Sequence, residues 1–203
     1  KIFSGTSVNV VLDRIETIDF ENKQAKGEAQ DYNYDYLVVG SGGEPEDFGV
    51  PGVKEHAYTL WSFDDAMKLR HKFEDNFREA AREIDPDKRA KLLTFVVAGA
   101  GFTGIELVGE MLEHRDTLCK KHHIAKEDVR IVVVEAMDTI LPILPEKLCK
   151  KATRYLEKKG CEIMLQAPIV EAGEGVVKIK EGVELETDTL VWTCGVQGSE
   201  FGG

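Results

Sequence analysis

A chain of 203 residues, 42% hydrophobic and 31% charged, has the composition of an ordinary globular protein with room for one or two domains. Its formal net charge of −11 argues against general binding to nucleic acid or to anionic membrane, because both need a basic face. No run approaches the roughly 18 apolar residues of a membrane span, and no secretory leader is recognisable. Cys119, Cys149, Cys161 and Cys194 are scattered without C-x-x-C spacing. That predicts reduced thiols in a cytosolic setting, and neither a disulfide framework nor a zinc site.

Residues 8–20 alternate apolar and polar side chains well enough for a strand, Glu21-Asn22-Lys23 reads as a turn, and polar Gln24–Asn33 as the returning arm of a hairpin. Tyr34–Val39 reads as a further strand running into Gly40–Gly43, and Glu44–Gly52 as an irregular loop with two prolines and two glycines. A long helix is expected from Ser62, with Ser62 and Asp65 in the relation of a capping box. Phe63, Ala66, Leu69, Phe73, Phe77, Ala80 and Ala81 would make its apolar face, and Asp85-Pro86-Asp87 would break it.

The most informative stretch is 92–110, LLTFVVAGAGFTGIELVGE. An apolar run, Leu92 to Ala98, meets Gly99-Ala100-Gly101-Phe102-Thr103-Gly104, and a helical pattern opens directly behind it. This is G-x-G-x-x-G at the join of a strand and a helix. Gly99 permits the tight turn, Gly101 lets backbone approach a pyrophosphate, and Gly104 lets helix pack on strand. Phe102 and Thr103 would offer N–H groups to the phosphates at the helix N-terminus, where Thr103 also suits an N-cap. Glu106 is expected in the first helical turn, stabilised by the dipole, and Glu110 is read as structural.

Arg130–Val134 reads as a buried strand ending on Glu135. An acid there accepts hydrogen bonds from the adenosine ribose hydroxyls and repels a 2′-phosphate, although Glu135 lies further from the glycines than the usual gap of about 20 residues. Ala136-Met137-Asp138 supplies no cation for a 2′-phosphate, so NAD(H) is expected over NADP(H). Leu141–Pro145 is a stiff loop, with Pro145 opening a helix that runs to Lys159 and stops at Gly160. Cys161–Leu165, then Ile169–Ala172, Val176–Lys180 and Val183–Leu185, then Thr189–Trp192 follow as strands. His71, His114, His122 and His123 have no partners at metal-binding spacing, and no metal is expected.

The order of elements, with the stretches YDYLVVGSGGEPEDFGVPG, SFDDAMKLR, LTFVVAGAGFTGIELVGEM, ILPILPEKL and DTLVWTCGVQGS, resembles the pyridine nucleotide-disulfide oxidoreductase superfamily and, within it, type II NADH dehydrogenase. The resemblance implies an α/β fold, a Rossmann-like FAD/NAD(P)-binding domain of three layers (ββα) with a β-meander, preceded by an incomplete flavin-domain β segment. The divisions it implies are 1–60 for that segment, 61–196 for the NADH-binding domain with its leading helix (core 91–196), and 197–203 for the start of a return to the flavin domain.

It also implies that Glu106 lies near the nicotinamide as the catalytic acid, and that Gly195 lets the nicotinamide lie flat near Cys194 and Val196. The cofactors implied are NAD(H) and, in an intact protein, FAD, with quinone as acceptor. The flavin-binding glycine motif, the late segment that closes over the flavin and the membrane-binding part of such enzymes have no counterpart in these residues. The chain is therefore expected to be a piece of a longer protein, inactive alone, with peripheral membrane contact through other parts, on the cytoplasmic side or in a mitochondrion. A homodimer is compatible with it. Other flavoprotein reductases, with ferredoxin, peroxide or disulfide as acceptor, and a non-catalytic NAD(H)-binding module are the alternatives.

Overall fold

Two apolar runs without alternation, residues 94–98 and 130–134, are buried along almost their whole length and occupy the middle of a parallel sheet. The computed structural model describes residue 3 and residues 5–199. Residues 200–203, part of the segment expected to return toward a flavin domain, lie outside the described residues. The chain divides into two compact units, one reaching to Gly43 and taking in Gly198 and Ser199, the other Glu44–Gln197.

In the first unit, β1 (Ile15–Asp19), β2 (Gln24–Gly27) and β3 (Asp31–Asn33) form an antiparallel sheet in sequence order. The turn expected at 21–23 is present, with Lys23 at φ 51. Two expected strands are corrected. Only Ile15–Asp19 of residues 8–20 is strand, because Asp13 interrupts the run. Its carboxylate accepts the Ala29 N–H at 3.1 Å and the Tyr32 hydroxyl at 2.7 Å, which ties the segment to the hairpin by a side chain instead of a ladder. Tyr34–Val39 forms no ladder, and Tyr36 and Val38 are almost fully exposed, since no described strand lies beside them.

The second unit contains β4 (Gly43–Pro45, its first residue belonging to the other unit), α1 (Val53–His56), β5 (Ala57–Thr59), α2 (Phe63–Ala80), α3 (Pro86–Leu92), β6 (Thr94–Ala98), α4 (Phe102–His122), β7 (Arg130–Val134), α5 (Glu146–Lys158), β8 (Cys161–Met164), β9 (Ile169–Gly173), β10 (Val176–Ile179), β11 (Val183–Glu186), β12 (Thr189–Trp192) and β13 (Val196–Gly198, its last residue belonging to the other unit). The strand order β5-β12-β6-β7-β8 is parallel throughout, and β9-β10-β11 is an antiparallel meander. β13 pairs with β4.

Because strand side chains alternate, Phe95, Val97, Ile131, Val133 and Val191 face one way and join Leu69, Phe73, Phe77, Val108, Leu112 and Leu156 of the helices. Val96, Ala98, Val132, Val134, Leu190 and Trp192 face the other way and meet Ala172, Val177, Ile179 and Leu185 of the meander. These are the three layers expected.

The capping box of α2 is complete: Ser62 Oγ accepts the Asp65 N–H at 3.1 Å, and the Asp65 carboxylate accepts the Ser62 N–H at 3.0 Å. Its buried face is narrower than expected. Leu69, Phe73, Phe77 and Ala80 are buried, whereas Phe63 and Ala81 are exposed, because the helix meets the sheet only beyond its first turn and ends at Ala80. Asp85-Pro86 also starts a helix instead of only ending one. Asp85 Oδ1 accepts the Asp87 and Lys88 N–H groups, and Pro86 takes the first helical position. Leu92 therefore ends α3, and the strand begins at Thr94. In α5, Pro145 is the capping residue, one place earlier than expected.

Replacing Phe77, with no exposed surface, by Ala is expected to cost about 3–5 kcal/mol in urea unfolding, and Phe63→Ala no more than about 0.5 kcal/mol. Equal losses would refute the face assigned to α2.

Candidate functional site

Going from β6, the chain adds β7 and then β8 on one side, while β12 and β5 lie on the other. The order thus reverses beside β6, and the carboxyl ends of β6 and β12 border the crevice in which open parallel sheets bind ligands. Thr193 closes the gap between these strands. Its N–H and its hydroxyl both donate to the Ala98 carbonyl, at 2.9 and 2.7 Å.

The three glycines of the turn have three different environments. Gly99 has φ +95, and a Cβ there would come within 3.0 Å of Cys194 Sγ and Thr193 Oγ1. Gly104 has no room at all: a Cβ would lie 2.0 Å from the Gly99 carbonyl oxygen, so only glycine lets α4 start this close to the strand. Nothing lies within 4 Å of the Cβ direction of Gly101. Gly99 thus makes the turn and Gly104 the helix–strand contact, while Gly101 faces open space.

The back of the turn is held by hydrogen bonds. Gly99 N–H donates to the Val134 carbonyl at 2.9 Å, Ala100 N–H to Glu135 Oε2 at 2.7 Å, and Leu141 N–H to the Ala100 carbonyl at 2.9 Å. Cys149 Sγ donates to the Leu141 and Leu144 carbonyls, fixing the 140–145 loop that reaches the turn. Gly101 is the capping residue of α4 and offers no side chain. The amides of Phe102, Thr103 and Gly104 open the helix and have no acceptor within it. They are suited to an anion.

A cleft of about 460 Å³ lies in front of the turn, bordered by Gly99, Gly101, Glu135, Ala136, Cys194 and Gly195. Six of the expected site residues are therefore brought together. Phe102, Thr103 and Gly104 follow directly in the helix. Glu106 and Val196 do not border the cleft; both are exposed. Two expectations are corrected. Glu106 is the fifth residue of α4, and its first turn holds no acid, because the helix starts only at Phe102. Thr103 is inside the helix, so the cap is Gly101 and not Thr103.

Glu135 is half-buried, and its second oxygen accepts the Met137 N–H at 2.9 Å. Burial, with a smaller contribution from the charge of Glu135, pushes the Cys194 thiol up to about 12. A thiol so shifted carries little thiolate at neutral pH and is a poor nucleophile. The remaining walls were not read from the sequence as site residues: Phe48 and Val50 from the loop before α1, Pro142, Ala167, Pro168 and Ile169, and Trp192 and Thr193. Phe48, Val50, Pro142, Trp192 and Thr193 lie in the stretches that carry the resemblance, but Phe48 is about 50 residues before the glycine turn, where spacing assigns it no place in the cleft. A larger hollow of about 620 Å³ between α2 and α4 has neither a glycine turn nor a helix N-terminus in its wall.

A glycine turn at the strand-order reversal of a parallel sheet, facing a helix N-terminus, defines a dinucleotide-binding α/β protein. The chain belongs to the pyridine nucleotide-disulphide oxidoreductase family, whose model matches residues 2–202. It is 38% identical over 203 residues to a type II NADH:quinone oxidoreductase of Staphylococcus saprophyticus, covering 98% of this chain and 50% of the relative. A type II NADH:quinone oxidoreductase of Staphylococcus aureus is 36% identical over 203 residues, again covering 98% of this chain and 50% of the relative. The chain spans about half the length of the curated relatives it matches. Its fold matches that of NDH2 from Plasmodium falciparum in complex with NADH, with a TM-score of 0.85 at 20% identity over 93% of this chain and 41% of that one.

Gly104→Ala is expected to destabilise the chain by about 1–3 kcal/mol in urea unfolding, whereas Gly101→Ala should stay within about 1 kcal/mol of the parent. The reverse order would contradict the environments assigned to them. Iodoacetamide at pH 8 should alkylate Cys194 at least tenfold more slowly in the folded than in the unfolded chain, read by peptide mass spectrometry. Rapid native labelling would show a thiol activated in the cleft.

Proposed function

We propose that this chain is the NADH-binding part of a flavin-dependent NADH dehydrogenase, in which NADH gives a hydride to FAD and the electrons go on to quinone. The observation that carries the reading is the open space in front of Gly101, next to the free amides that begin α4 and beside Glu135. The pyrophosphate lies against Gly101 and the amides of Phe102, Thr103 and Gly104. Glu135 and Ala136 receive the adenosine ribose, and Cys194-Gly195-Val196 the nicotinamide half. Residues 61–196 are the NADH-binding domain, with 91–196 as its core. The names of the relatives support the quinone acceptor.

The flavin has no comparable cradle among the described residues. Among the described residues, a strand, a glycine turn and a helix follow one another as a dinucleotide cradle once, at 94–104. Gly40–Gly43 leads into β4 and not into a helix. The residues present do not form a flavin cradle, and FAD is assigned to the remainder of a longer polypeptide, where it would supply the hydride acceptor. This chain binds and orients NADH, and alone it does not turn over. Glu106, exposed on α4 outside the cleft, is the acid through which the nicotinamide end would be oriented in the longer protein. No helix among the described residues is long and apolar enough to cross a membrane. Membrane contact in the longer protein belongs to its other parts.

Calorimetric titration of the chain should show saturable NADH binding and much weaker NADPH binding. Glu135→Ala should weaken NADH about tenfold or more and narrow the preference, since hydrogen bonds to a charged group are each worth about 1.5–3 kcal/mol. Gly101→Ala should weaken binding while leaving the fold intact. Binding of neither nucleotide would overturn the reading, and tight NADPH binding would overturn the role of Glu135. Quinone-dependent NADH oxidation by the longer protein would support the acceptor, and a strict need for ferredoxin, peroxide or disulfide would replace it.

A further inference from the structure

We propose that Phe48 is a positioning residue of the cleft, an aromatic wall that holds the nicotinamide half of NADH and leaves the adenosine half untouched. The inference rests on the NADH reading given above. The cleft runs along the carboxyl ends of the sheet, with Glu135 and Ala136 beyond β7 at one side and Cys194 and Gly195 beyond β12 at the other. A dinucleotide whose pyrophosphate lies on Gly101 and whose adenosine ribose meets Glu135 must extend its other half toward Gly195. Phe48 stands on that side. A Cβ built on Gly195 would lie 2.6 Å from the Phe48 ring, so the ring packs directly against the Gly195 backbone.

The loop that carries Phe48 is held to the same strand end. Trp192 is buried and donates its indole N–H to the Glu46 carbonyl at 2.8 Å, and the Glu46 N–H reaches the Gly195 carbonyl at 3.4 Å. Glu46 Oε1 in turn accepts the Phe48 N–H at 2.7 Å, and Asp47 accepts the Gly49 N–H at 2.8 Å. Phe48 has φ 54, a left-handed conformation that few residues other than glycine adopt. The loop hydrogen bonds hold it there, and the residue remains 65% exposed. This large aromatic side chain, kept at the mouth of the cleft by a strained, tethered backbone, packs on Gly195 but takes no part in the hydrophobic core. It offers a flat apolar face to a flat ring. Gly195, with φ +65, is required by its own conformation and by this ring, so its being glycine is not by itself a mark of the ligand.

The test compares NADH with ADP-ribose, which keeps the pyrophosphate and adenosine but lacks the nicotinamide. On the parent chain, calorimetry should show binding of both. Phe48→Ala should weaken NADH about threefold to tenfold and leave ADP-ribose unchanged, and Phe48→Tyr should restore NADH binding. The exposed ring makes loss of the fold in Phe48→Ala unexpected, and circular dichroism checks it. Trp192→Phe, which removes the indole donor that tethers the loop, should give a weaker form of the same pattern. Unchanged NADH binding in Phe48→Ala overturns the proposal and leaves the NADH reading standing. Equal weakening of both ligands overturns it as well, since the ring would then shape the whole cleft, and tighter NADH binding overturns it by making the ring an obstruction. Binding of neither ligand by the parent chain takes the NADH reading down, and this proposal with it.

Discussion

The second unit depends on one contact between two pieces of backbone. Helix α4 begins so near the end of β6 that position 104 has no space for a side chain, the Gly99 carbonyl lying where a Cβ would be. From that contact the rest follows. The turn between strand and helix must be tight, so Gly99 takes a positive φ. The amides of the first helical turn are brought to the sheet's carboxyl edge, and the carbonyls and amides behind the turn need partners of their own. Val134 and Glu135 at the end of β7, and Leu141 in the loop beyond, supply these. The turn is thus rigid at its back and open at its front, which is the arrangement that preorganised recognition of an anion needs.

The charge of the chain is no obstacle to this. A net charge of −11 would repel a polyanion that lies along a surface. A pyrophosphate at a helix N-terminus meets local dipoles and N–H groups, whose effect is confined to the first turn. The described part of the cleft holds Glu135 as its charged residue, and that carboxylate is engaged by two backbone amides, those of Ala100 and Met137. It couples the glycine turn to the end of β7 and so contributes to the rigidity of the turn.

The elements that were legible in the sequence are those with a strong local signal. Ser62 and Asp65 announce the capping box, Thr94–Ala98 and Arg130–Val134 are too apolar for a one-sided strand, and the spacing of Gly99, Gly101 and Gly104 states its own geometry. The misread elements lacked such a signal or carried a false one. Tyr34–Val39 has the pattern of a strand, but a strand exists only by pairing, and no described neighbour is there to pair with it. β5 is three residues long, too short to show any period, and is a strand only because β12 lies beside it. Phe63 and Phe77 share a helical face in sequence, yet only the second meets the sheet.

By itself, the sequence determined the layers of the second unit, the place of the glycine turn and the acid beyond β7, because apolar period, cap chemistry and the steric freedom of glycine act over a few residues. Only the tertiary structure decided which residues share the cleft. It put Phe48 against Gly195, Leu141 against Ala100 and Cys194 beside Gly99, and it left Glu106 and Val196 outside the walls. These relations join segments far apart in the chain, and they are fixed by how helices and meander pack on the two faces of one sheet, which no local pattern records.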